Sequence, residues 1–574
     1  MKRSLSKVLT SVVSASIVIT MTVGLAGCKK SSNTSNSTSK NKVDKIDVFS
    51  MTANFAGMQK GWFGKLVKDK FGLEMNIIAS QLQGGDSKYA TMMAAHNLGD
   101  IVIFGDDGQK YTDAIKAGLV LDWTKDGLMD KYGKDIKNYP KAIQKAKTNF
   151  GKGSSVYGLG YAAANEPVTK PSEGADMTFG PIIRYDLYKK IGSPKITSLD
   201  NLLDVLKKMQ KICPKSESGK KTYAFSLWAD WDGNMMNAAK NIANMSGWDE
   251  LGFLLVNATE NKYQDILSKD GQYVNGLKFL NKANQMGLVD PDSISQKYDD
   301  AMGKMKDGAT LAAELPFTVG EYNTQDRKNA GKGMKFVPFA GEKIYSTGFA
   351  SYGGNRVISI GSKTKVADKI MKFINWMYTP EGIEEANYGP KGLAWDIKDG
   401  KPYVTDFGMK ALPSNEVAVP QKFGGSTFKT GMNQLAFNNV VVTSTNPETK
   451  QPYEYDLWPS YLKASATKID KEWQSDMGAL TQKDYVVKNN MIATAPALMT
   501  STDTPDSATT QKLNQINAIV KQYSWKMVFA KNDSQFNSLL SELTKKANGL
   551  GYKDVVKFYE GQAEKQFKER DSIK

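Results

Sequence analysis

The sequence predicts an α/β protein of more than one domain, on three observations. Its 574 residues exceed what a single hydrophobic core organises. Hydrophobic residues make up 40% and charged residues 24%, the balance of a globular chain rather than a low-complexity one. From Lys45 onward, short apolar strands alternate with amphipathic helices, the pattern of βαβ units and a parallel sheet.

The chain opens with MKRSLSKVLTSVVSASIVITMTVGLAGC. Lys2, Arg3 and Lys7 form a basic start, no acid precedes Cys28, and an apolar stretch lies between them. This is the anatomy of an export signal, and Leu25-Ala26-Gly27-Cys28 resembles a bacterial lipobox. Residues 1–27 are expected to be removed, leaving Cys28 to carry acyl chains such as palmitate; more than one chain is needed for a stable anchor. Residues 28–43 then form the lipidated cysteine and a polar tether, KKSSNTSNSTSKNK. The other reading, a transmembrane anchor with an incidental cysteine, fits the Ser- and Thr-rich apolar stretch less well. No later run is long and apolar enough to span a bilayer. Cys213 is left without a disulfide partner in the mature chain.

In the exported part, KIDVFS, LEMNIIAS and DIVIFG read as strands, separated by helices in MQKGWFGKLVKDKFG and DSKYATMMAAHNLG. Ligands of parallel sheets sit beyond the carboxyl ends of the strands. Those ends are polar or Gly-rich here: Ser50 to Asn54, Ser80 to Asp86, and Gly105 to Asp107. GYAAANEPVTKPSEGADMTFG breaks the pattern and reads as a crossing segment. IIRYDLYKK then predicts a strand and helix, and Ser198 a helix N-cap. TYAFSLW predicts another strand, ending at Trp228 and Trp231. The chain beyond GGNRVISIG is mostly helical, with long amphipathic stretches at its end.

Composition excludes several functions. A single histidine, His96, and two cysteines leave no His- or Cys-rich metal site and no HExxH motif, so neither metal nor cofactor is expected. A nucleophilic triad would have to recruit His96, which sits near a helix end where a structural role is expected. The net charge of +16 at pH 7 is spread along the chain among nearly as many acids, and no nucleic-acid-binding pattern stands out. GKGSSVYGLG lacks the GKS/T ending of a phosphate loop and reads as a turn before a strand.

Four stretches carry a family resemblance: the lipobox start, LGDIVIFG, RYDLYKKIGSPKITSLDNLLDVLKKM, and NWMYTPEGIEEANYGPKGLAWD. Together and in this order they resemble the lipoprotein-type extracellular solute-binding proteins of family 1, the sugar-binding components of ABC importers in Gram-positive bacteria. The resemblance implies a two-lobed periplasmic-binding-protein fold, class II-like, with a helix-rich C-terminal part and the ligand in the interlobe cleft. It implies lobe 1 over 44–165, a hinge crossing and lobe 2 over 166–312, a return to lobe 1 over 313–375, and the rest of lobe 2 over 376–574. It also implies a monomer on the extracytoplasmic face of the membrane, delivering sugar to an ABC permease without catalysis. Some members carry a calcium loop where this chain has CPKSESGKKTYAF; with Glu217 as its one acid, that stretch is not expected to hold calcium.

Sugar recognition needs aromatic platforms for ring faces and planar polar groups for hydroxyls. On the second lobe, Trp228 and Trp231 supply rings, and Asp230 and Asp232 supply acceptors. Equally, one tryptophan is core and the aspartates cap the helix that follows. On the first lobe, Asn54, Phe55, Gln83, Asp86 and Asp106 occupy strand ends, where turn and cap roles compete. Glu314, Tyr322, Tyr352 and Trp395 stand at later segment boundaries. Two other functions stay open: a secreted enzyme acting on a polysaccharide, with Asp230 and Asp86 as its carboxylates, and a binding protein for peptides or another polar solute.

Overall fold

The structure, a computed structural model, describes residues 42–573 except 415 and 501. Cys28 and the whole export signal lie outside the described residues, and among those described no helix is long and apolar enough to cross a membrane.

The predicted parallel sheet forms around Asp44–Ser50. Its burial alternates at the start and becomes continuous at Val48, Phe49 and Ser50, where both faces of the sheet are covered. This strand pairs in parallel with Leu73–Ala79 along its whole length, from Asp44 opposite Leu73 to Ser50 opposite Ala79. Its other edge pairs in parallel with the fully buried Ile101–Phe104. The sheet is completed by strands from far away in sequence: Val357–Ile360 runs antiparallel to Ile101–Phe104, and Leu159–Gly160 follows it. The helix Gly61–Phe71 covers the sheet with Trp62, Phe63, Leu66 and Val67 and stops at Gly72, which takes the left-handed conformation with φ 64°.

A second sheet is built on Ile182–Arg184, flanked antiparallel by Ala312–Ala313 and Met334–Phe336. The predicted strand TYAFSLW is extended but joins only through isolated parallel bridges, Tyr223 to Thr310 and Phe225 to Val289. The Ser198 cap is present, its hydroxyl accepting the Asn201 N–H at 3.1 Å. The long C-terminal helices are Ser507–Val528, Asp533–Gly549 and Tyr552–Ile573. His96 closes the end of the helix Gly85–Ala94 at φ 51°.

Two large hydrophobic cores divide the molecule, and their membership corrects two of the expected boundaries. The first core takes Ile46 to Ala163 and then Ile358 to Tyr453. The second takes Met177 to Ile344 and then Ile469 to Ala563. Residues 313–344 therefore stay with the second core instead of returning, and 376–453 pack with the first. The reason is in the apolar faces: Val319, Tyr322 and Phe336 extend the second sheet's core, while Ile370, Phe373, Ile374 and Ile383 cover the first sheet. In the loop where calcium was not expected, the Ser216 and Ser218 hydroxyls donate to Asp307 at 2.6 and 2.7 Å, and Glu217 pairs with Arg327.

The chain passes between the cores three times, near 164–176, 345–357 and 454–468. The passages are bound to one another. Ser172 Oγ donates to the Thr347 carbonyl at 2.8 Å and Ser346 Oγ to the Glu173 carboxylate at 2.6 Å, while Thr443 Oγ1, in the first core's segment before the third passage, donates to the Ser172 carbonyl at 2.8 Å. A Cβ at Gly348 would stand 1.6 Å from the Val168 carbonyl oxygen, so the first two passages touch backbone to backbone. Glu454, on the third, lies against Gly174 of the first. Burial, with the Asp456 carboxylate beside it, pushes its carboxyl up to about 7.

Because the folded chain holds that proton to higher pH than the unfolded chain does, stability falls as pH rises through the interval from about 4.5 to about 7. Glu454→Gln is expected to remove this part of the pH dependence and to raise Tm at pH 8 more than at pH 5. Melting curves across that range check it; an identical pH profile in the variant refutes it.

Candidate functional site

The stretch from Phe225 to Met236 is held from below by a buried polar network. Ser226 Oγ donates to Asp290 at 2.9 Å, Gln296 Nε2 donates to the Leu227 carbonyl at 2.7 Å, and Ser293 Oγ accepts the Leu227 N–H at 2.9 Å. Lys304 pairs with Asp290 at 2.6 Å and closes the network. Trp228, at 9% exposure, then packs on Ala301, Met302 and Leu315.

On Trp228 stands a column of rings. Trp231 meets it edge-on, with centroids 5.3 Å apart at 90°. Tyr298 stacks on Trp231 at 4.5 Å and 23°, and Phe317 lies nearly parallel to Trp231 at 5.9 Å and 22°. Trp231 is 41% exposed and Phe317 59%, so the column faces solvent. Tyr298 opens the helix Tyr298–Lys306, and Phe317 rides on the turn Pro316–Glu321, which Thr318 Oγ1 ties to the Leu315 carbonyl at 2.7 Å.

The two aspartates part company. Asp230 is exposed and its Oδ2 accepts the Tyr298 N–H at 3.0 Å, capping the helix that carries the stacked tyrosine. Asp232 accepts the Asn237 N–H at 2.8 Å and Trp525 Nε1–H at 2.7 Å. Burial pushes its carboxyl up, and those two hydrogen bonds oppose the shift. Asp232 is a structural cap and Asp230 remains at the surface beside the rings.

At the carboxyl ends of the first sheet's parallel strands a hollow of about 200 Å³ is lined by Met51, Gln81, Asp86, Tyr89, Asp106 and Lys110, among others. Asp86 pairs with Lys110 at 2.5 Å, Gln81 Nε2 donates to the Met51 carbonyl at 2.8 Å, and Asp106 accepts the Gly108 N–H at 2.8 Å. Asn54 and Gln83 are exposed at the same strand ends but do not line the hollow, and Phe55 packs against the first core. Tyr352 is half-buried, shares a narrow cleft with the Asp107–Lys145 pair, and has the Lys141 ammonium 5.2 Å from its ring. A surface depression of about 760 Å³ lies elsewhere, between the helices Gln272–Gln285 and Asp533–Gly549.

Three candidates are corrected. Tyr322 is 1% exposed, clamped between the Arg184 and Arg327 guanidinium groups at 4.4 Å each, and presents no surface to a ligand. Trp395 is also 1% exposed and donates Nε1–H to the Gly389 carbonyl at 2.8 Å, stabilising the turn before it. Glu314 is buried beneath the platform, where burial pushes its carboxyl up. Sequence reading passed over Tyr298 and Phe317. The LPF of AAELPF was the visible signal for Phe317, because a phenylalanine just after a proline at a strand end sits on a turn.

Comparison with known proteins agrees with this architecture. The family model described as bacterial extracellular solute-binding protein matches residues 63–392. Lipoprotein LipO of Bacillus subtilis (strain 168) is 25% identical over 395 residues, covering 66% of this chain and 72% of that protein. The chain is similar in fold to an HMO binding, ABC-transporter-associated solute-binding protein from Bifidobacterium longum infantis. That match has TM-score 0.54 and 15% identity and covers 91% of this chain and 99% of that one. It is similar also to the N-glycan transport solute-binding protein NgtS of Streptococcus pneumoniae, with TM-score 0.52 and 16% identity over 92% of this chain and 100% of that one. The family model spans more than half of the chain, and the fold is the two-lobed α/β architecture that the resemblance implied. This chain belongs to the bacterial extracellular solute-binding protein family.

Proposed function

We propose that the protein is a membrane-anchored lipoprotein that captures a carbohydrate, an oligosaccharide, by closing two lobes over it and delivers it to an ABC permease. The observation that carries the reading is the exposed ring column of Tyr298, Trp231 and Phe317 standing on buried Trp228. Stacked rings with an open face take up the C–H faces of pyranose rings, and neighbouring planar acceptors select hydroxyl geometry. Asp230 lies beside the column with its Oδ1 available, and Gln81, Asp86 and Asp106 supply polar groups on the other lobe. The three bound passages form the hinge about which the lobes close. The sugars named for the structural relatives support the class of ligand, and the lipobox supports an anchor at Cys28.

The helix-cap contact of Asp230 and the Asp86–Lys110 ion pair support a binding role for these carboxylates over an acid-pair role. Binding without chemistry is the function retained. A peptide or other polar solute is the competing ligand, and it is separated from sugar by direct measurement.

Thermal shift against a panel of mono- and oligosaccharides and peptides is expected to show stabilisation by glycans, because a ligand that binds only the folded state stabilises by mass action. Stabilisation by peptides with none by glycans would remove the sugar assignment. Trp231→Ala and Phe317→Ala are expected to weaken binding of the stabilising glycan at least tenfold, about 1.4 kcal/mol, with Tm in the absence of sugar nearly unchanged. Trp228→Ala, by contrast, opens the floor of the column and is expected to lower stability by about 3–5 kcal/mol in denaturant unfolding. Asp232→Asn is expected to lower stability through its cap and its Trp525 partner, while Asp230→Asn acts mainly on glycan affinity. If the stabilities of the Asp230 and Asp232 variants rank the other way, the roles given to the two carboxylates are reversed.

A further inference from the structure

Trp231 stands between two aspartates that are tied to different elements of the second lobe. On one side, Asp230 accepts the Tyr298 N–H at 3.0 Å. On the other, Asp232 closes the turn by donating its N–H to the Ala229 carbonyl at 3.0 Å. The Asp232 carboxylate then reaches out of the turn in two directions. Its Oδ1 accepts the Asn237 N–H at 2.8 Å, five residues on, and its Oδ2 accepts Trp525 Nε1–H at 2.7 Å, from 293 residues downstream.

Trp525 belongs to the helix Ser507–Val528, and two of its neighbours there reach the same stretch. Lys521 Nζ lies 3.5 Å from the Asp232 carbonyl oxygen. Ser524 Oγ shares a hydrogen bond of 2.7 Å with the Tyr273 hydroxyl, which accepts the Met236 N–H at 2.8 Å. Residues 521, 524 and 525 have i, i+3, i+4 spacing, so they lie on one face of the helix. That face holds both ends of the stretch from Asp232 to Met236. Ser524, Trp525 and Tyr273 are buried, which shields their bonds from competition by water. The helix lies outside residues 63–392, the segment that the family model matches.

We propose that Trp525 is a positioning residue for sugar recognition: without touching the sugar, its indole N–H fixes the Asp232 carboxylate and, through the adjoining peptide, the ring of Trp231. The inference rests on the ring column being the sugar platform. Asp232 is half-buried, and a carboxylate that loses a charge-assisted donor turns toward water to replace it. Asn237 keeps Oδ1 in place, so losing the Trp525 donor loosens the turn without releasing the helix that follows. Trp231 then loses its stacking register on Tyr298, which Asp230 alone does not fix.

The test is Trp525→Phe in the full chain, which removes the donor and keeps an apolar ring. Fluorine NMR of protein labelled with 5-fluorotryptophan reads the ten tryptophans one by one, with the Trp231 signal identified by its loss in Trp231→Ala. In Trp525→Phe the Trp231 resonance is expected to shift or broaden, while Trp395 and Trp458, packed together away from the column, stay in place. Val520→Ala loosens the same helix from its core face and is expected to leave the Trp231 resonance unmoved. Calorimetric titration then uses cellotriose, maltotriose and chitotriose as probes. For any that binds, Trp525→Phe is expected to weaken binding roughly fivefold in the parent and to cost nothing further in the Trp231→Ala background, because the two residues act as one unit. An unmoved Trp231 resonance in Trp525→Phe, an equal movement in Val520→Ala, or the same loss of affinity in both backgrounds overturns the proposal. Binding of none of the three sugars counts against the sugar reading instead, and the Trp231 resonance still decides whether Trp525 positions the ring.

Discussion

The ring column of the second lobe depends on keeping one extended, irregular stretch of backbone, Ser226 to Leu227, in place without a regular sheet around it. An extended segment with so few ladder partners must satisfy its polar groups some other way, since buried unpaired ones cost about 1–3 kcal/mol each. Ser293, Gln296 and Asp290 do this, and Lys304 neutralises the aspartate. With that stretch pinned, Trp228 has a fixed floor, and Trp231, Tyr298 and Phe317 can stand on it at the surface. Three of the supporting groups precede the helix that carries Tyr298, so the same network positions both the floor and one stacked ring.

The hinge has a related logic. The first passage touches both of the others, so the two cores are joined through several strands of chain rather than one linker. The closeness of Gly348 to the Val168 carbonyl leaves room for no side chain, the hydroxyls of Ser172 and Ser346 supply side-chain hydrogen bonds between the first two passages, and Thr443 adds one to the first. Where the segments meet, burial pushes the carboxyls of Asp176, Glu454 and Asp456 up.

The parallel part of the first sheet was legible because its three strands are close in sequence and uniform in character: IVIF is buried on both faces, and a run of that kind has little else to be. The capping serine at 198 was legible for the same reason, since its partner is three residues away. The lobe boundaries after residue 312 were not, because helices of either lobe show the same amphipathic period and nothing local says which sheet they cover. Tyr322 and Trp395 illustrate the limit for single residues. An aromatic at a segment boundary has the same local sequence whether it faces a ligand or, like Tyr322, lies between two guanidinium groups brought from 138 residues upstream and 5 residues downstream.

By itself, then, the sequence determined the α/β class, the family resemblance, and the placing of Trp228, Trp231 and Asp230 together at the end of an extended segment. These rest on covalent neighbourhood and on hydrophobic periodicity, which a linear chain displays. Only the tertiary structure decided which tryptophan is floor and which is surface, that Asp232 is claimed by Trp525 from the C-terminal helix, and that Tyr298 and Phe317 complete the column. Exposure and stacking are properties of groups brought together across tens to hundreds of residues, and they exist only once both cores have closed.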